Sequence, residues 1–281
     1  QRKDGAPPHC AEIPSVVMRP VAMEDGLCDF GVELIGRLVV RGKGTPSARV
    51  GESREEAMDA RPETCEQPLE FERIGDGVWR SSVPAAFRFV RLDGMRDAEL
   101  ECLAEFHPAK RRGAFACSDP TLTRIWSHGA YTLRLCMRDF LLDGIKRDRL
   151  PWAGDLMTSL LTNAHSFRDE EIARRTLTVL GRAGIAKSHV NGIVDYSLWW
   201  IVCHDVFQLY SGDRAYLRRE WPRIAAHMRE LERRCDAQGF LSVAPGEWVF
   251  IDWAPGEKTT SLQILWRWAL RSAARLAERL D

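Results

Sequence analysis

The sequence predicts a multidomain β + α protein, in which an antiparallel β-sandwich precedes a domain of tandem helices. Up to about Glu105, short apolar runs alternate with polar residues and are cut by Gly and Pro, a pattern typical of antiparallel strands. From Ser118 onwards the apolar residues recur at helical spacing instead. With 281 residues, of which 45% are hydrophobic, the chain is long enough for two cores. We therefore place a β domain at 1–112 and a helical domain at 113–281.

The clearest strands are predicted at 31–44 and 85–95, where apolar and polar residues alternate and β-branched or aromatic side chains are frequent. In the second segment Phe87 and Val90 are expected on opposite faces, because successive side chains of a strand alternate. The charged, proline-bearing stretch 52–68 predicts a loop or a short helix.

The first long helix is predicted to begin at Asp119, a favoured N-cap residue that is followed by Pro120 in the first turn. Its buried face is predicted to consist of Leu122, Ile125, Trp126, Leu133, Leu135 and Phe140. The segment GDLMTSLLTNAHSF begins a second helix, and further helices are predicted at 168–184, 195–211, 213–236 and 257–280. Tandem helices with short connections indicate α-hairpins packed in sequence.

Three details of the helical part remain expectations of the pattern. Gly239 is expected to close the helix 213–236, and His165 and His204 are expected to be satisfied histidines of the core. The last helix reaches Asp281 without a capping residue, so the helical domain is expected to continue beyond it.

The bulk composition argues against several classes of partner. Forty basic residues balance forty acidic ones, and no apolar run is long enough to cross a bilayer, so neither nucleic acid nor a membrane is an expected partner. The seven histidines are not paired at zinc spacing, so no metal and no cofactor are expected. The eight cysteines lie singly, which favours free thiols and a cytoplasmic location; a secreted or periplasmic protein whose signal is missing is the alternative.

The densest cluster of reactive side chains lies in DFLLDGIKRDRLPWAGDL, residues 139–156. A solvated charged loop is the simpler interpretation, but Gly and Pro restrict the backbone here and a loop Trp usually packs or stacks. Glycoside cleavage requires a carboxylic acid that protonates the leaving oxygen and a second carboxylate that attacks or activates water. Carboxylates, guanidinium groups and Trp also bind sugars. The segment supplies all of these groups except the second catalytic carboxylate.

The part DGIKRDRLPWAGD resembles the signature of the α-L-rhamnosidase family of glycoside hydrolases. The resemblance implies that Asp148 is the general acid and that Trp152 lines the pocket. It further implies that Asp143 and Asp155 bind the sugar, and Arg147, whose guanidinium can bind hydroxyls, is assigned to the substrate as well. The acid of the family is usually Glu, and the shorter Asp148 leaves the linkage specificity open.

Two later segments, DYSLWWI at 195–201 and GEWVFIDWAPGEK at 246–258, resemble barrel segments of the same family that supply acids and tryptophans to the pocket. Asp195 is either the N-cap of its helix or a sugar ligand. Asp252 and Trp253 are assigned to the substrate as well, with simple packing as an equal alternative.

The resemblance covers the chain from about residue 25 and implies an (α/α)6 toroid of twelve helices, of which about the first six are present. It implies a hydrolase that cleaves terminal α-L-rhamnosyl residues with inversion, with a carbohydrate as partner. The general base of the family, a Glu, is expected in the second half and outside this chain. Two alternatives stay open: a helical-barrel glycosidase for another terminal sugar, and a carbohydrate-binding remnant without catalysis.

Overall fold

The computed structural model describes residues 13–61, 69–185 and 187–280. The chain divides into two compact units. The β unit contains the chain up to Pro108 together with 134–138 and 144–149, and the helical unit contains the remainder from Ala109 onwards. The sequence predicted a single boundary at 112/113 and did not anticipate that 134–138 and 144–149 belong to the β unit.

The strands of the β unit belong to one curled antiparallel sheet. They are β1 (Ser15–Met18), β2 (Ala22–Glu24), β3 (Leu27–Gly51), β4 (Phe71–Gly75), β5 (Val78–Ser81) and β6 (Ala85–Glu105). The order across the sheet is β1-β6-β3-β5-β4, and β2 pairs with the start of β3. A short helix, α1 (Arg54–Met58), follows β3 within the stretch 52–68, of which residues 62–68 lie outside the described residues.

The curl of the sheet comes from the two long strands. Val90 of β6 is paired with Cys28 near the start of β3 and also with Val50 near its end, so β3 runs along both sides of β6. The register shifts at Gly36, where an added Cβ would lie 2.2 Å from the carbonyl oxygen of Leu103. Only glycine therefore permits the close approach of β3 and β6 at this bend.

The predicted separation of Phe87 and Val90 onto opposite faces is wrong. Both side chains are fully buried in the same hydrophobic cluster of the β unit. Because β6 lies between two stretches of the bent β3, burial here does not follow simple alternation.

The helical unit follows the predicted helices closely. Its helices are α2 (Pro120–Cys136, whose last turn belongs to the β unit), α3 (Ala153–Ser166), α4 (Glu170–Leu180), α5 (Val194–Ser211), α6 (Arg214–Glu232) and α7 (Thr259–Glu278). The side chain of Asp119 accepts a hydrogen bond from Thr121 N at 2.8 Å at the start of α2. Asp213 accepts one from Tyr216 N at 2.9 Å and so caps α6.

Two predicted details of the helix ends are wrong. The N-cap of α5 is Ile193, and Asp195 lies inside the first turn, because its carboxylate is engaged elsewhere. α6 ends at Glu232, and Gly239 instead adopts a left-handed conformation in the turn that begins at Asp236.

Burial departs from the predicted core in three places. Leu122 and Ile125 are 49% and 61% exposed, because the described residues leave that face of α2 uncovered. Phe140 is half-buried and lies beyond the end of the helix. His165 is exposed and meets the Tyr210 ring. His204 is buried as predicted, but its Nε2 has no hydrogen-bond partner among the described residues.

None of the helices in the described part of the chain is both long and apolar enough to cross a membrane. The six described cysteines are all free, and Cys10 and Cys65 lie outside the described residues.

Candidate active site

The segment 144–149, which belongs to the β unit, carries Asp148 between two basic anchors. The Lys146 ammonium forms an ion pair with Glu56 and lies 3.6 Å from the carboxylate of Glu52. Glu56 also accepts a hydrogen bond from Glu52 N at 2.9 Å, so the two acidic partners are themselves linked.

The second anchor is Arg149, which has a φ of 52°. Its guanidinium donates to the carbonyl oxygens of Ile145 at 2.6 Å and Pro84 at 3.1 Å. Arg147 and Asp148 lie between the anchors and are exposed. Among the described residues, no hydrogen bond or ion pair engages the Asp148 carboxylate, so it is available to a ligand.

In the helical unit, Asp143 and Leu150 close the ends of the same loop. Asp143 N donates to the carbonyl oxygen of Leu150 at 3.0 Å, and Leu150 N donates to Asp143 Oδ1 at 3.1 Å. Asp143 Oδ2 has no hydrogen-bond partner in the described ranges, so this oxygen is open to a ligand.

Trp152 is held at the N-cap of α3 by its two neighbours in the chain. Asn191, which has a φ of 55°, accepts a hydrogen bond from Ala153 N at 3.1 Å and donates one to Pro151 O at 3.1 Å. The Trp152 ring then meets the edge of Tyr196 with ring centroids 5.9 Å apart. The Trp152 ring is thereby positioned by ring packing and by the hydrogen bonds of its neighbours in the chain.

Tyr196 connects the carboxylates of the helical unit. Its ring packs so closely on α3 that a Cβ added to Gly154 would lie 2.7 Å from it. Burial raises the pKa of Tyr196 far above its usual range, and the carboxylates of Asp155, Asp195 and Asp143 raise it further. Tyr196 is hydrogen-bonded to Asp155. The phenol therefore stays protonated and can act as a donor among three acidic groups.

Asp195 supports a loop through its carboxylate. It is completely buried, and its two carboxylate oxygens accept hydrogen bonds from Phe250 N at 2.8 Å and Ile251 N at 3.0 Å. Ile251 has a φ of 55°, which is rare and costly for a β-branched residue. The buried carboxylate thus stabilises a turn that the Ile251 backbone disfavours.

The supported loop carries a row of aromatic rings. The Phe250 centroid lies 5.9 Å from that of Tyr196 and 4.9 Å from that of Trp253. Lys258 Nζ donates to Phe250 O at 2.6 Å and lies 3.8 Å from the Asp252 carboxylate. Trp253 is 87% exposed, and Asp252 is also exposed, so both can meet a ligand.

Glu247, at the start of the same loop, is not a free acid. Although burial opposes it, the N–H of Ala244 and the guanidinium of Arg234 hold the pKa of Glu247 below its usual value. Arg234 donates to Glu247 Oε1 at 2.6 Å, and His189 Nε2 lies 3.2 Å from the same oxygen. The Glu247 carboxylate is thus engaged by Arg234 and His189.

Among the described residues, no group of three or more His, Cys, Asp or Glu side chains is arranged to hold a metal ion.

Sequence comparison decides the family. Residues 110–280 match the bacterial alpha-L-rhamnosidase 6 hairpin glycosidase domain, which is more than half of the chain. The chain belongs to this family. The matched range includes Asp143, Asp148, Trp152 and Asp155 of the signature, and no curated protein matches the chain.

Solved rhamnosidases share the fold. The rhamnosidase of Klebsiella oxytoca with rhamnose bound superposes with a TM-score of 0.74 at 24% identity, over 96% of this chain and 59% of that one. A rhamnosidase of Bacillus sp. GL1 has a TM-score of 0.73 at 23% identity, covering 92% of this chain and 30% of that one. The alpha-L-rhamnosidase of Streptomyces avermitilis complexed with L-rhamnose has a TM-score of 0.70 at 18% identity, covering 96% of this chain and 30% of that one. The chain therefore spans about three fifths or less of the length of these structures.

Asp143, Asp148, Trp152 and Asp155 remain the site residues that the sequence predicts. Sequence reasoning singled out the segments 195–201 and 246–258 but missed Tyr196 and Phe250 within them, and it missed Asn191. One local signal was available, because Asn191 before Gly192 is a pair that favours left-handed backbone.

Proposed function

We propose that this chain supplies the acid side of the active site of a hydrolase that removes terminal α-L-rhamnosyl residues. The observation that carries the proposal is the family signature at 143–155, in which an exposed Asp148 lies on a doubly anchored segment. Its companions Trp152 and Asp155 pack on Tyr196 in the helical unit.

In the proposed reaction the carboxylic acid of Asp148 donates its proton to the glycosidic oxygen as the bond from that oxygen to the anomeric carbon breaks. A water molecule attacks the anomeric carbon from the opposite face, and a general base outside this chain removes its proton. The products are free rhamnose of inverted anomeric configuration and the leaving alcohol. Asp148 returns to its acid form by taking a proton from solvent.

The remaining groups bind the sugar. Asp143 Oδ2 and the Asp155 carboxylate are proposed to accept hydrogen bonds from sugar hydroxyls. The Arg147 guanidinium is proposed to donate hydrogen bonds to hydroxyl oxygens of the sugar. Trp152 stacks on the apolar face of the ring. Asp252 and Trp253 form an outer platform, and Asp195 positions that platform through Phe250 and Ile251.

The architecture belongs to the same proposal. The bent strands β3 and β6 are proposed to form the two layers of a β-sandwich. The helices α2 to α7 are proposed to be the first six helices of an (α/α)6 toroid.

Hydrolysis of nitrophenyl α-L-rhamnoside by the full reading frame that carries this chain tests the proposal. We expect release of nitrophenol, with little release from the matching glucoside, galactoside or arabinoside. Proton NMR at early times should show the β-anomer of rhamnose from the α-rhamnoside. Turnover of another sugar in preference would replace the substrate, and initial release of the α-anomer would contradict inversion.

A carbohydrate-binding role without catalysis is the second candidate. It is favoured by the aromatic row that runs from the buried Tyr196 through Phe250 to the exposed Trp253. Quenching of tryptophan fluorescence by rhamnose measures binding independently of turnover. Trp253→Ala should weaken this binding, whereas Trp79→Ala in the β unit should leave it unchanged. Binding of rhamnose with no hydrolysis of any rhamnoside would select this candidate.

A further inference from the structure

The segment that carries Asp148 meets a group of carboxylates in the β unit through a single ammonium. Lys146 is paired with Glu56 and lies near Glu52, both in or next to the short helix α1. Side-chain exposure is 28% for Lys146 and 17% for Glu56, so solvent screens this ion pair less than an exposed one.

A third acidic residue, Glu33 on β3, responds to the same charges. Burial, and then the charge of Glu52, raises the pKa of Glu33 to about 8, and the positive charge of Lys146 acts in the opposite direction. Near pH 7 Glu33 is therefore mostly protonated, and the carboxylates whose repulsion Lys146 compensates are those of Glu52 and Glu56.

This arrangement fixes one end of the short stretch that presents the acid. Lys146 lies two residues before Asp148, and Arg149 fixes the following residue through Pro84 O. Without Lys146, the carboxylates of Glu52 and Glu56 would repel one another and the stretch would lose its ion pair with α1. Displacement of a catalytic group by about 1 Å can lower a rate by about 100-fold.

We propose that Lys146 is a positioning residue for the proton donor Asp148, and that Glu56 and Glu52, in and next to α1, hold Lys146 in place. This inference rests on the proposed function and assigns a role in acid catalysis to residues of the β unit. It assigns no contact with substrate to Lys146 or Glu56.

The test compares Lys146→Met and Lys146→Arg in the full reading frame that carries this chain. Two substrates are used: a rhamnosyl disaccharide, whose leaving alcohol needs a full proton, and dinitrophenyl α-L-rhamnoside, which needs little. Lys146→Met should lower kcat on the disaccharide by about 10-fold or more, with KM unchanged, and kcat on the dinitrophenyl substrate by less than about 3-fold. Lys146→Arg, which keeps the charge, should restore most of the disaccharide activity.

Glu56→Gln provides a second variant, which keeps the size of the partner and removes its charge. Like Lys146→Met, it should lower kcat on the disaccharide more than kcat on the dinitrophenyl substrate. The control is Lys43→Met, which removes an exposed pair with Asp97 at 3.8 Å elsewhere in the β unit. It should leave both activities unchanged. Thermal melting establishes that each variant is folded at the assay temperature.

Equal losses on both substrates, or unchanged activity in Lys146→Met, would overturn the positioning role while the proposed function stands. An unmutated protein that hydrolyses neither rhamnoside would overturn the proposed function and this inference with it.

Discussion

Asp143 and Leu150 are joined by two hydrogen bonds, one from each backbone N–H, that close the ends of the loop carrying Asp148. One oxygen of Asp143 is used in this closure, and the other is open among the described residues. A residue that the signature assigns to the sugar thus also shapes the loop that carries Asp148. Asp143→Ala should therefore affect both binding and loop geometry, whereas Asp143→Asn keeps an oxygen that can accept from Leu150 N and should affect binding alone.

Gly154 should be needed for the packing of Tyr196. An added Cβ would lie 2.7 Å from the Tyr196 ring, so Gly154→Ala should displace the ring and destabilise the helical unit by about 1–3 kcal/mol. Urea unfolding followed by circular dichroism measures the change. Gly144→Ala is the matched control, because nothing lies within 4 Å of a Cβ at Gly144. Equal midpoints for the two variants would show that Tyr196 does not pack as described.

Asp195 should contribute to stability through the loop that it holds. Asp195→Ala leaves Phe250 N and Ile251 N without their acceptors and should lower the free energy of unfolding by about 2–5 kcal/mol. Rhamnose affinity should fall as well, because the loop presents Trp253. Asp252→Ala removes an exposed carboxylate from the same loop and should change stability by less than about 0.5 kcal/mol. If Asp195 instead only bound sugar, its variant would lose affinity and keep the unfolding midpoint.

Stability should decline on mild acidification because of two buried histidines. Burial, and then the neighbouring His227, lowers the pKa of His204 to about 3. Burial, and then His189, lowers that of His227 to about 4. The unfolded chain binds these protons near pH 6.5 and the folded one does not, so stability is complete above about pH 6.5 and decreases towards pH 4. The loss between pH 7.5 and pH 5 should be about 2 kcal/mol for each histidine.

Urea midpoints measured across this range test the prediction, and His227→Phe should remove about half of the histidine contribution. Identical pH dependence in the variant and the unmutated protein would mean that these rings are not the source.

The helices could be predicted from the sequence because their signals are local. Asp213 and Asp169 cap α6 and α4 through their own side chains, as the residue type predicts. The same reasoning wrongly offered Asp195 as an N-cap, because the carboxylate of an acidic residue near a helix start can instead accept hydrogen bonds from a distant loop. Leu122 and Ile125 have helical spacing, but spacing alone does not say what covers that face.

The candidate site could be predicted only where it is continuous in sequence. Asp143, Asp148, Trp152 and Asp155 lie within one signature. Tyr196 meets Trp152 and Asp155 only through tertiary packing, and Phe250 in turn packs on Tyr196. The segment 144–149 contacts the β unit through Lys146 and Glu56, which are ninety positions apart and share no pattern in the sequence.

Substitution of Asp148 tests the central claim most directly. In the full reading frame that carries this chain, Asp148→Asn should lower hydrolysis of a rhamnosyl disaccharide by about 100-fold or more, because in the proposed reaction Asp148 protonates the leaving alcohol. Hydrolysis of dinitrophenyl α-L-rhamnoside should fall far less, while Asp143→Asn should depress both substrates to a similar degree. Equal losses on the two substrates for Asp148→Asn would remove it from the acid role and make Asp155 the next residue to test.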